Sequence, residues 1–299
     1  MTILVNSCDL YEDAWYTFFR LLKTQWQECE QYGIVLNTET KTYDCDFLDV
    51  RSVCGGKGVT WSKRLMNCLK QIDSEFVLFF LEDYFLLSKT DNDTFDRALS
   101  LIGNNQQIGY IGLKYNRSLT VKGPEYENEL KDFPFIERDH LSGGKRINCN
   151  TAIWRREWLM HLIRTHESPW EFEKYAERRS RRTKMQALQI NNGLLPPVFE
   201  YEMLFQFGYG ISMKKWLPKN RELFQKYDIK VDLDNLGEMS WETCMSLASE
   251  QSPSFVSPKN PPQKKKEKSL RETLYRYKKS IKNINKKIRK KIRAIRSII

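Results

Sequence analysis

The stretch FVLFFLEDYF at positions 76–85 decides the fold class of this chain. Its first residues, Phe76 to Leu81, are all apolar, and two acids, Glu82 and Asp83, follow directly. A strand without polar alternation is typical of a parallel sheet covered on both faces, because neither face meets water. Open α/β sheets bind ligands at the carboxyl ends of their strands. The sequence therefore predicts a ligand site at Glu82 and Asp83, the alternative being an ordinary solvated strand end.

Helices and strands alternate on both sides of this stretch. Upstream, the apolar runs Ile3–Val5 and Ile34–Leu36 are each followed by an amphipathic segment, which gives a βαβαβ rhythm. Downstream, Thr90-Asp91-Asn92-Asp93 predicts the start of a helix, and Tyr110–Leu113 predicts a further strand. The later expected elements are a strand at 147–154, a helix at 155–164 and a helix beginning at 168–170.

The positive charge of the chain is concentrated in its last residues. The formal net charge is +11, but residues 262–299 hold 16 Lys and Arg against 2 Asp and Glu. Residues 1–261 hold 33 basic and 36 acidic residues, so the body is slightly acidic. The charge therefore gives no support to a nucleic-acid-binding body.

The C-terminal segment divides into a linker and a helix. Pro and Ser residues at 252–262 end the body, so we expect a domain at 1–251, a linker at 252–268 and a helix at 269–299. Apolar residues from Leu270 to Ile298 recur at steps of three and four on a helix otherwise coated with Lys and Arg. A coiled coil is disfavoured by the flanking cations, and no base-reading fold accompanies the tail. An anionic membrane surface explains both the apolar stripe and the charge.

The cysteines and the N-terminus bear on the compartment. Seven single cysteines without a CxxC pair argue against zinc ribbons and disulfide scaffolds. Residues 1–10 lack the pattern of a signal peptide, and the longest apolar run is far below the ~20 residues that span a bilayer. The predicted location is the cytoplasm, peripheral at the inner face of the cell membrane.

A series of short blocks along residues 3–220 carries a family resemblance. They are the first strand with Asp9 after it, a helix with Trp15, GVTWSKRL at 58–65, LEDYF at 81–85, NCNTAIWRR at 148–156, SPWEFE at 168–173 and the segment 208–216. Their order and spacing resemble bacterial capsular and surface polysaccharide glycosyltransferases of the GT-A fold. The resemblance implies a Rossmann-like α/β domain with a mixed sheet flanked by helices.

The resemblance also implies where a nucleotide sugar binds. It places Ser7, Cys8 and Asp9 near the base, and Glu82 and Asp83 near the ribose and diphosphate. Trp61 could stack on the sugar or base, although a Trp at a helix start is more often a core anchor. The basic residues that could neutralise the donor phosphates are Lys63, Arg64, Arg179 and Arg182.

One departure from the family pattern concerns the metal. Many GT-A enzymes carry a third acid in the strand-end motif, where this chain has Tyr84. Asp83 could still hold one Mn²⁺ or Mg²⁺ with waters at the remaining positions, because both ions prefer oxygen ligands. Alternatively, the basic side chains neutralise the diphosphate without a metal.

Glycosyl transfer with inversion needs one base to deprotonate the acceptor hydroxyl. Glu171 and Glu173 match the position at which the family presents such a residue, and Glu173 is preferred. The alternative is that both are helix N-terminal acids that interact favourably with the helix dipole. His140, His161 and His166 show no metal-ligand spacing.

The sequence thus favours a glycosyltransferase that moves a sugar from a nucleoside diphosphate, UDP above all, to a glycan or polyprenyl-linked acceptor in surface polysaccharide synthesis. A sugar-phosphate nucleotidyltransferase is the first alternative, but it needs a Gly-rich loop after the first strand, and residues 6–10 contain no glycine. The second alternative is a non-catalytic protein that uses only its tail to bind membrane or nucleic acid.

Overall fold

A mixed eight-stranded sheet lies at the centre of the computed structural model of this chain. The structure describes residues 1–114, 120–142, 145–201 and 210–251, so the expected linker and C-terminal helix lie outside the described residues. The strands are β1 (Thr2–Asn6), β2 (Gly33–Thr38), β3 (Val50–Cys54), β4 (Phe76–Leu81), β5 (Ile108–Gly112), β6 (Thr120–Val121), β7 (Phe135–Glu137), β8 (Leu141–Ser142), β9 (Ala152–Arg155), β10 (Gln186–Ile190), β11 (Ile211–Ser212) and β12 (Lys215–Trp216).

The helices alternate with these strands along most of the chain. They are α1 (Glu12–Gln25), α2 (Trp61–Leu69), α3 (Asn92–Asn104), α4 (Glu127–Asp132), α5 (Arg156–Leu162), α6 (Pro169–Ser180), α7 (Asn220–Lys226) and α8 (Trp241–Gln251). Short 3-10 turns cover Asp9–Tyr11, Gln27–Gln31, Pro124–Tyr126 and Arg138–His140. Among the residues described, every helix falls short of the length and apolarity that crossing a bilayer requires.

The strand order of the central sheet is β3-β2-β1-β4-β9-β5-β10-β7. Strands β3, β2, β1 and β4 pair in parallel, as do β5 and β10, whereas β9 runs antiparallel to both of its neighbours and β7 is antiparallel to β10. The order of the first four strands is that of a Rossmann-like nucleotide-binding half. The predicted fold class, a mixed α/β sheet flanked by helices, is confirmed.

The core has two layers because both faces of the sheet are covered. On β4, Leu78 and Phe80 pack with residues of α1 and α3, while Val77 and Phe79 pack on the other face with residues of α2, α5 and α6. Nearly all of the β4 side chains are buried. The continuous apolar run at 76–81 is therefore explained as predicted, by burial on both faces.

The helices that border the carboxyl edge of the sheet begin at polar caps. The Thr60 hydroxyl accepts the backbone N–H of Lys63 at the start of α2, and the Asp91 carboxylate caps α3 as its sequence predicts. Ser168 and Glu171 form a reciprocal capping box at the start of α6.

The strand expected at 147–154 is shorter in the structure. Strand β9 begins only at Ala152, because the Asn148 side chain accepts the backbone N–H of Asn150 and closes a turn before it. This turn lies beside the carboxyl ends of β4 and β5, since β9 runs antiparallel between them. The shortening therefore places polar side chains at the edge where the acids of β4 emerge.

Candidate functional site

The carboxyl ends of β1 and β4 form a topological switch point. These strands are neighbours, and Asn6 at the end of β1 pairs with Leu81 at the end of β4. From β1 the chain continues outward to β2 and β3, whereas after β4 it continues to the other half of the sheet. Connections that diverge in this way leave a crevice outside the strand ends, where open α/β sheets bind ligands.

Two carboxylates stand at this crevice. Glu82 is only 7% exposed, and Asp83 beside it is partly exposed. Burial raises the pKa of Glu82, and the neighbouring Asp83 charge raises it further, although Ser7 and Arg64 act in the opposite direction. Burial also raises the pKa of Asp83, against a backbone hydrogen bond from Ile211. The ionised form of each carboxyl group is therefore unfavourable here, and a bound cation would stabilise it.

The Ser7 and Cys8 positions predicted for the donor lie beside this pair. The Ser7 hydroxyl accepts a hydrogen bond from Trp15 Nε1 at 2.7 Å, which fixes the chain just after β1. Burial, followed by the Glu82 charge, raises the pKa of the Cys8 thiol to about 11. The same two causes raise the pKa of the Tyr11 hydroxyl to about 12. These residues and the acids thus share one poorly solvated environment.

Asp9 joins the loops that follow β1 and β2. Its carboxylate accepts the backbone N–H groups of Glu39, Thr40 and Lys41 at 3.0 to 3.2 Å. Burial acts to raise the pKa of Asp9, but these hydrogen bonds together with that of the Thr40 hydroxyl lower it overall. Asp9 therefore shapes the wall of the crevice through the backbone of the second loop.

Arg64 is the basic residue that reaches the crevice most directly. It is 3% exposed, donates to the Ser7 carbonyl at 2.8 Å and pairs with Glu39 at 3.0 Å. Gly55 makes room for it, because a Cβ at Gly55 would lie 2.2 Å from Arg64 Cγ. Lys63 is exposed on α2.

Trp61 acts as a core anchor in this structure. Its ring packs against Phe172 of α6, with centroids 5.6 Å apart. It also contacts the apolar layer beneath α2 while remaining partly exposed. This contact joins α2, which carries Lys63 and Arg64, to α6, which carries Glu171 and Glu173. Trp61 therefore helps to set the distance between these two groups of candidate residues.

The two arginines predicted to bind phosphates are placed differently. Arg179 forms a bidentate pair with Glu167, which is almost fully buried, at 2.6 and 2.7 Å. Arg182 is exposed in the turn that leads from α6 to the first residue of β10. Arg179 thus forms a structural ion pair. Arg182 lies before the amino end of β10, whereas the crevice lies at the carboxyl ends of the strands.

The two candidate bases, Glu171 and Glu173, have different hydrogen-bond partners. Glu171 is exposed, and its carboxylate accepts both the N–H and the hydroxyl of Ser168, which lower its pKa. The helix-cap interpretation is confirmed for Glu171. Glu173 points instead toward the turn before β9, where it accepts the Cys149 N–H at 2.9 Å and the Lys145 ammonium at 2.6 Å.

The turn at 148–150 links Glu173 to the carboxylate pair. The Tyr84 hydroxyl, directly after the acids, donates to Asn150 Oδ1 at 2.6 Å, and Glu173 binds the neighbouring Cys149 backbone. Sequence reasoning missed most of the polar residues around this turn. Tyr110 and Gln189 lie within β5 and β10, and Lys114, Arg138 and Lys145 follow β5, β7 and β8 within a few residues, which is the signal that could have identified them.

The donor set fits a divalent cation of the Mg²⁺ or Mn²⁺ type. The residues that the structure describes contain no group of three or more His, Cys, Asp or Glu that could enclose a metal. One or two carboxylates completed by waters and substrate phosphates are a common arrangement for Mg²⁺. Asp83, partly exposed beside Glu82, offers that arrangement, and the ion would offset the cost of ionising two acids whose pKa values are raised.

Comparison with known proteins gives distant structural likenesses. No protein-family model matches the chain, and no curated protein sequence matches it. A cytidylyltransferase from Leptospira borgpetersenii aligns with 12% identity and a TM-score of 0.44, over 88% of this chain and 98% of its own. TarS 1–349 from S. aureus aligns with 15% identity and a TM-score of 0.43, over 79% and 67%.

A third solved structure is glucosyl-3-phosphoglycerate synthase from Mycobacterium tuberculosis in complex with Mn²⁺ and UDP-glucose. It aligns with 13% identity and a TM-score of 0.40, over 63% of this chain and 68% of its own. Likenesses at this distance assign no activity to the chain. The residues of the site itself are therefore what indicate a function.

The buried acids predict a pH-dependent stability. Because folding raises the pKa of Glu82, the folded state holds a proton that the unfolded chain releases above about pH 4. The free energy of unfolding should therefore be greatest below that pH and fall as the pH rises through the raised pKa. We expect Glu82→Gln to gain stability over the wild type between about pH 5 and about pH 8, measured by urea denaturation.

The exposed Glu222 supplies the control, because Glu222→Gln removes a carboxylate from the surface of α7. Its unfolding free energy should follow the wild-type pH profile. Parallel profiles for the wild type and Glu82→Gln would contradict the burial argument.

Proposed function

We propose that this chain is a glycosyltransferase of GT-A type that uses a nucleoside diphosphate sugar as donor. The observation that carries the proposal is a pair of carboxylates with raised pKa values, the buried Glu82 and the partly exposed Asp83, at the switch point between β1 and β4. Desolvation disfavours the ionised form of both acids, and a bound cation would stabilise that form. A divalent cation carrying a diphosphate meets that need.

The donor side of the site is built from the first half of the chain. The base would lie along the ends of β1 and β2, where Ser7, Cys8 and Asp9 form the wall of the crevice, and the ribose and diphosphate would lie near Glu82 and Asp83. Arg64 brings a buried positive charge beside the Ser7 carbonyl, and Lys63 offers an exposed one on the same helix. A Mn²⁺ or Mg²⁺ bound at Asp83 would neutralise charge on the diphosphate as it leaves.

Glu173 is our proposed base. It would take the proton from the acceptor hydroxyl while that oxygen forms the new bond to the anomeric carbon. The bond from that carbon to the diphosphate breaks on the opposite face, and its electron pair leaves with the diphosphate, so the configuration inverts. Glu173 suits this role because its carboxylate binds the turn that Tyr84 also contacts.

A nucleotidyltransferase is the second candidate. The loop after β1 forms a 3-10 turn at Asp9–Tyr11 and contains no glycine, so it lacks the backbone freedom of a phosphate-wrapping loop. This observation favours sugar transfer.

The proposal also covers the acceptor and the cellular location. We propose a glycan or polyprenyl-linked acceptor in surface polysaccharide synthesis, with the protein in the cytoplasm and peripheral at the inner face of the membrane. Its basis is the charge and the apolar stripe of residues 269–299. Confinement near a lipid-linked acceptor raises the effective concentration of that acceptor.

Donor binding tests the proposal first. We expect a UDP-sugar with Mn²⁺ to raise the thermal unfolding temperature more than GDP, CMP or dTDP sugars, because a ligand at about 100 times its Kd stabilises by about 2.7 kcal/mol. Asp83→Asn should abolish the Mn²⁺-dependent part of the shift. Asp73→Asn, an exposed acid before the amino end of β4, should keep it. The proposal fails if no nucleotide sugar stabilises the wild type.

The base assignment has a separate test. We expect Glu173→Gln to lower kcat for transfer by about 10²- to 10⁴-fold while UDP-sugar binding persists, because only the proton acceptor is removed. Glu171→Gln should keep transfer activity, because Gln also serves at this position of a capping box. Full activity in Glu173→Gln would rule out this carboxylate as the base.

The tail is tested by vesicle sedimentation. We expect the full chain to sediment with phosphatidylglycerol vesicles and not with phosphatidylcholine vesicles, because the Lys and Arg of residues 269–299 need anionic headgroups. A chain ending at residue 262 should remain in the supernatant with both. Tighter binding of the full chain to RNA than to anionic vesicles would instead support a nucleic-acid partner.

A further inference from the structure

A positively charged cluster lies at the carboxyl ends of β5 and β10, on the Glu173 side of the site. It consists of Lys114, Arg138, Lys145, Glu173 and Gln189, and we call it the acceptor-side cluster. Gln189 holds it together, because its Nε2 donates to the carbonyls of Gly112 and Lys114 at 3.0 and 2.9 Å. The cluster is therefore fixed to the ends of two parallel strands.

Arg138 brings a buried charge into this cluster. It is 6% exposed, and its guanidinium donates to Gln189 Oε1 at 3.1 Å and to the Lys145 carbonyl. Both acceptors are uncharged. A buried guanidinium is usually neutralised by a carboxylate or phosphate, since desolvation makes an uncompensated charge costly.

Two lysines add to this charge. Lys145 pairs with Glu173 at 2.6 Å. Burial lowers the pKa of Lys114 to about 8, an effect that the nearby Glu173 charge partly offsets. Among the described residues, Lys145 forms an ion pair with Glu173, whereas Arg138 forms none with a carboxylate. Arg138 and Lys145 thus place two positive charges beside one acid of the cluster, Glu173.

Neutral hydrogen-bonding groups complete the surroundings. A Cβ at Gly112 would lie 2.5 Å from Gln189 Oε1 and 3.1 Å from the Tyr110 hydroxyl, so both groups converge over the end of β5. The Tyr110 hydroxyl donates to Asn148 Oδ1 at 3.1 Å, in the turn that binds Glu173. These contacts occupy the donors of Tyr110 and Gln189, so the cations of the cluster are the groups that would recognise an oxyanion.

We propose that the acceptor-side cluster binds a phosphate group of the acceptor, so the acceptor of this enzyme is a phosphate-bearing glycan or lipid. Lys145 pairs with the phosphate when the acceptor binds and releases the Glu173 carboxylate to take the proton of the acceptor hydroxyl. This inference rests on the proposed function for the reaction, but the anion site itself is independent of the donor.

Binding of phosphate esters by the full chain tests the site. The probes are glycerol 1-phosphate, a free phosphomonoester, and citronellyl diphosphate, a short polyprenyl diphosphate, titrated by calorimetry with saturating UDP and Mn²⁺ and again without them. We expect Lys145→Met to weaken binding of the preferred probe by about tenfold or more, because a charge-assisted contact is lost. Lys145→Arg should restore most of it.

Lys184→Met is the matched control, since Lys184 is exposed in the turn before β10. It should bind both probes like the wild type. The stronger probe identifies the phosphate source, and equal binding by Lys145→Met and the wild type, or no binding of either probe to the wild type, would overturn the inference. Failure of UDP to bind, with the Lys145 effect intact, would contradict the donor assignment alone.

Discussion

The desolvation of two adjacent carboxylates at the end of the central strand is the constraint on which the rest of the site depends. Strand β4 is apolar on both faces, so the chain emerges from the middle of the core directly into Glu82 and Asp83. Their raised pKa values show that this position disfavours the ionised carboxylates. Acids with such raised pKa values are typical of ligand sites, where the ligand stabilises their ionised form. The switch point beside β1 supplies the space for that ligand.

The neighbouring contacts divide the edge into two sides. Asp9 and Arg64 tie the loops after β1, β2 and β3 together on the donor side, through backbone groups and the Glu39 pair. Glu173 and the cations around it lie on the other side, at the ends of β5 and β10. The turn at Asn148–Asn150 contacts both sides, so one short segment sets the distance between them.

Much of the fold could be predicted from the sequence, because burial on both faces leaves a direct trace in the run at 76–81 and caps such as Asp91 mark helix starts. The pairing of side chains could not be predicted. Arg179 and Glu171 carry the right chemistry in the right block, but their partners, Glu167 and Ser168, hold them in structural roles. Lys114 and Arg138 could not be recognised as neighbours because only the sheet order brings β5 and β7 to the two sides of β10.

The most direct test of the central claim is a crystal structure of the protein with UDP and Mn²⁺, with the metal located by its anomalous signal. The account predicts the diphosphate between the carboxyl ends of β1 and β4, and the metal within about 2.0 to 2.6 Å of an Asp83 carboxylate oxygen. A nucleotide bound elsewhere on the sheet, with Glu82 and Asp83 contacting neither phosphate nor metal, would contradict it.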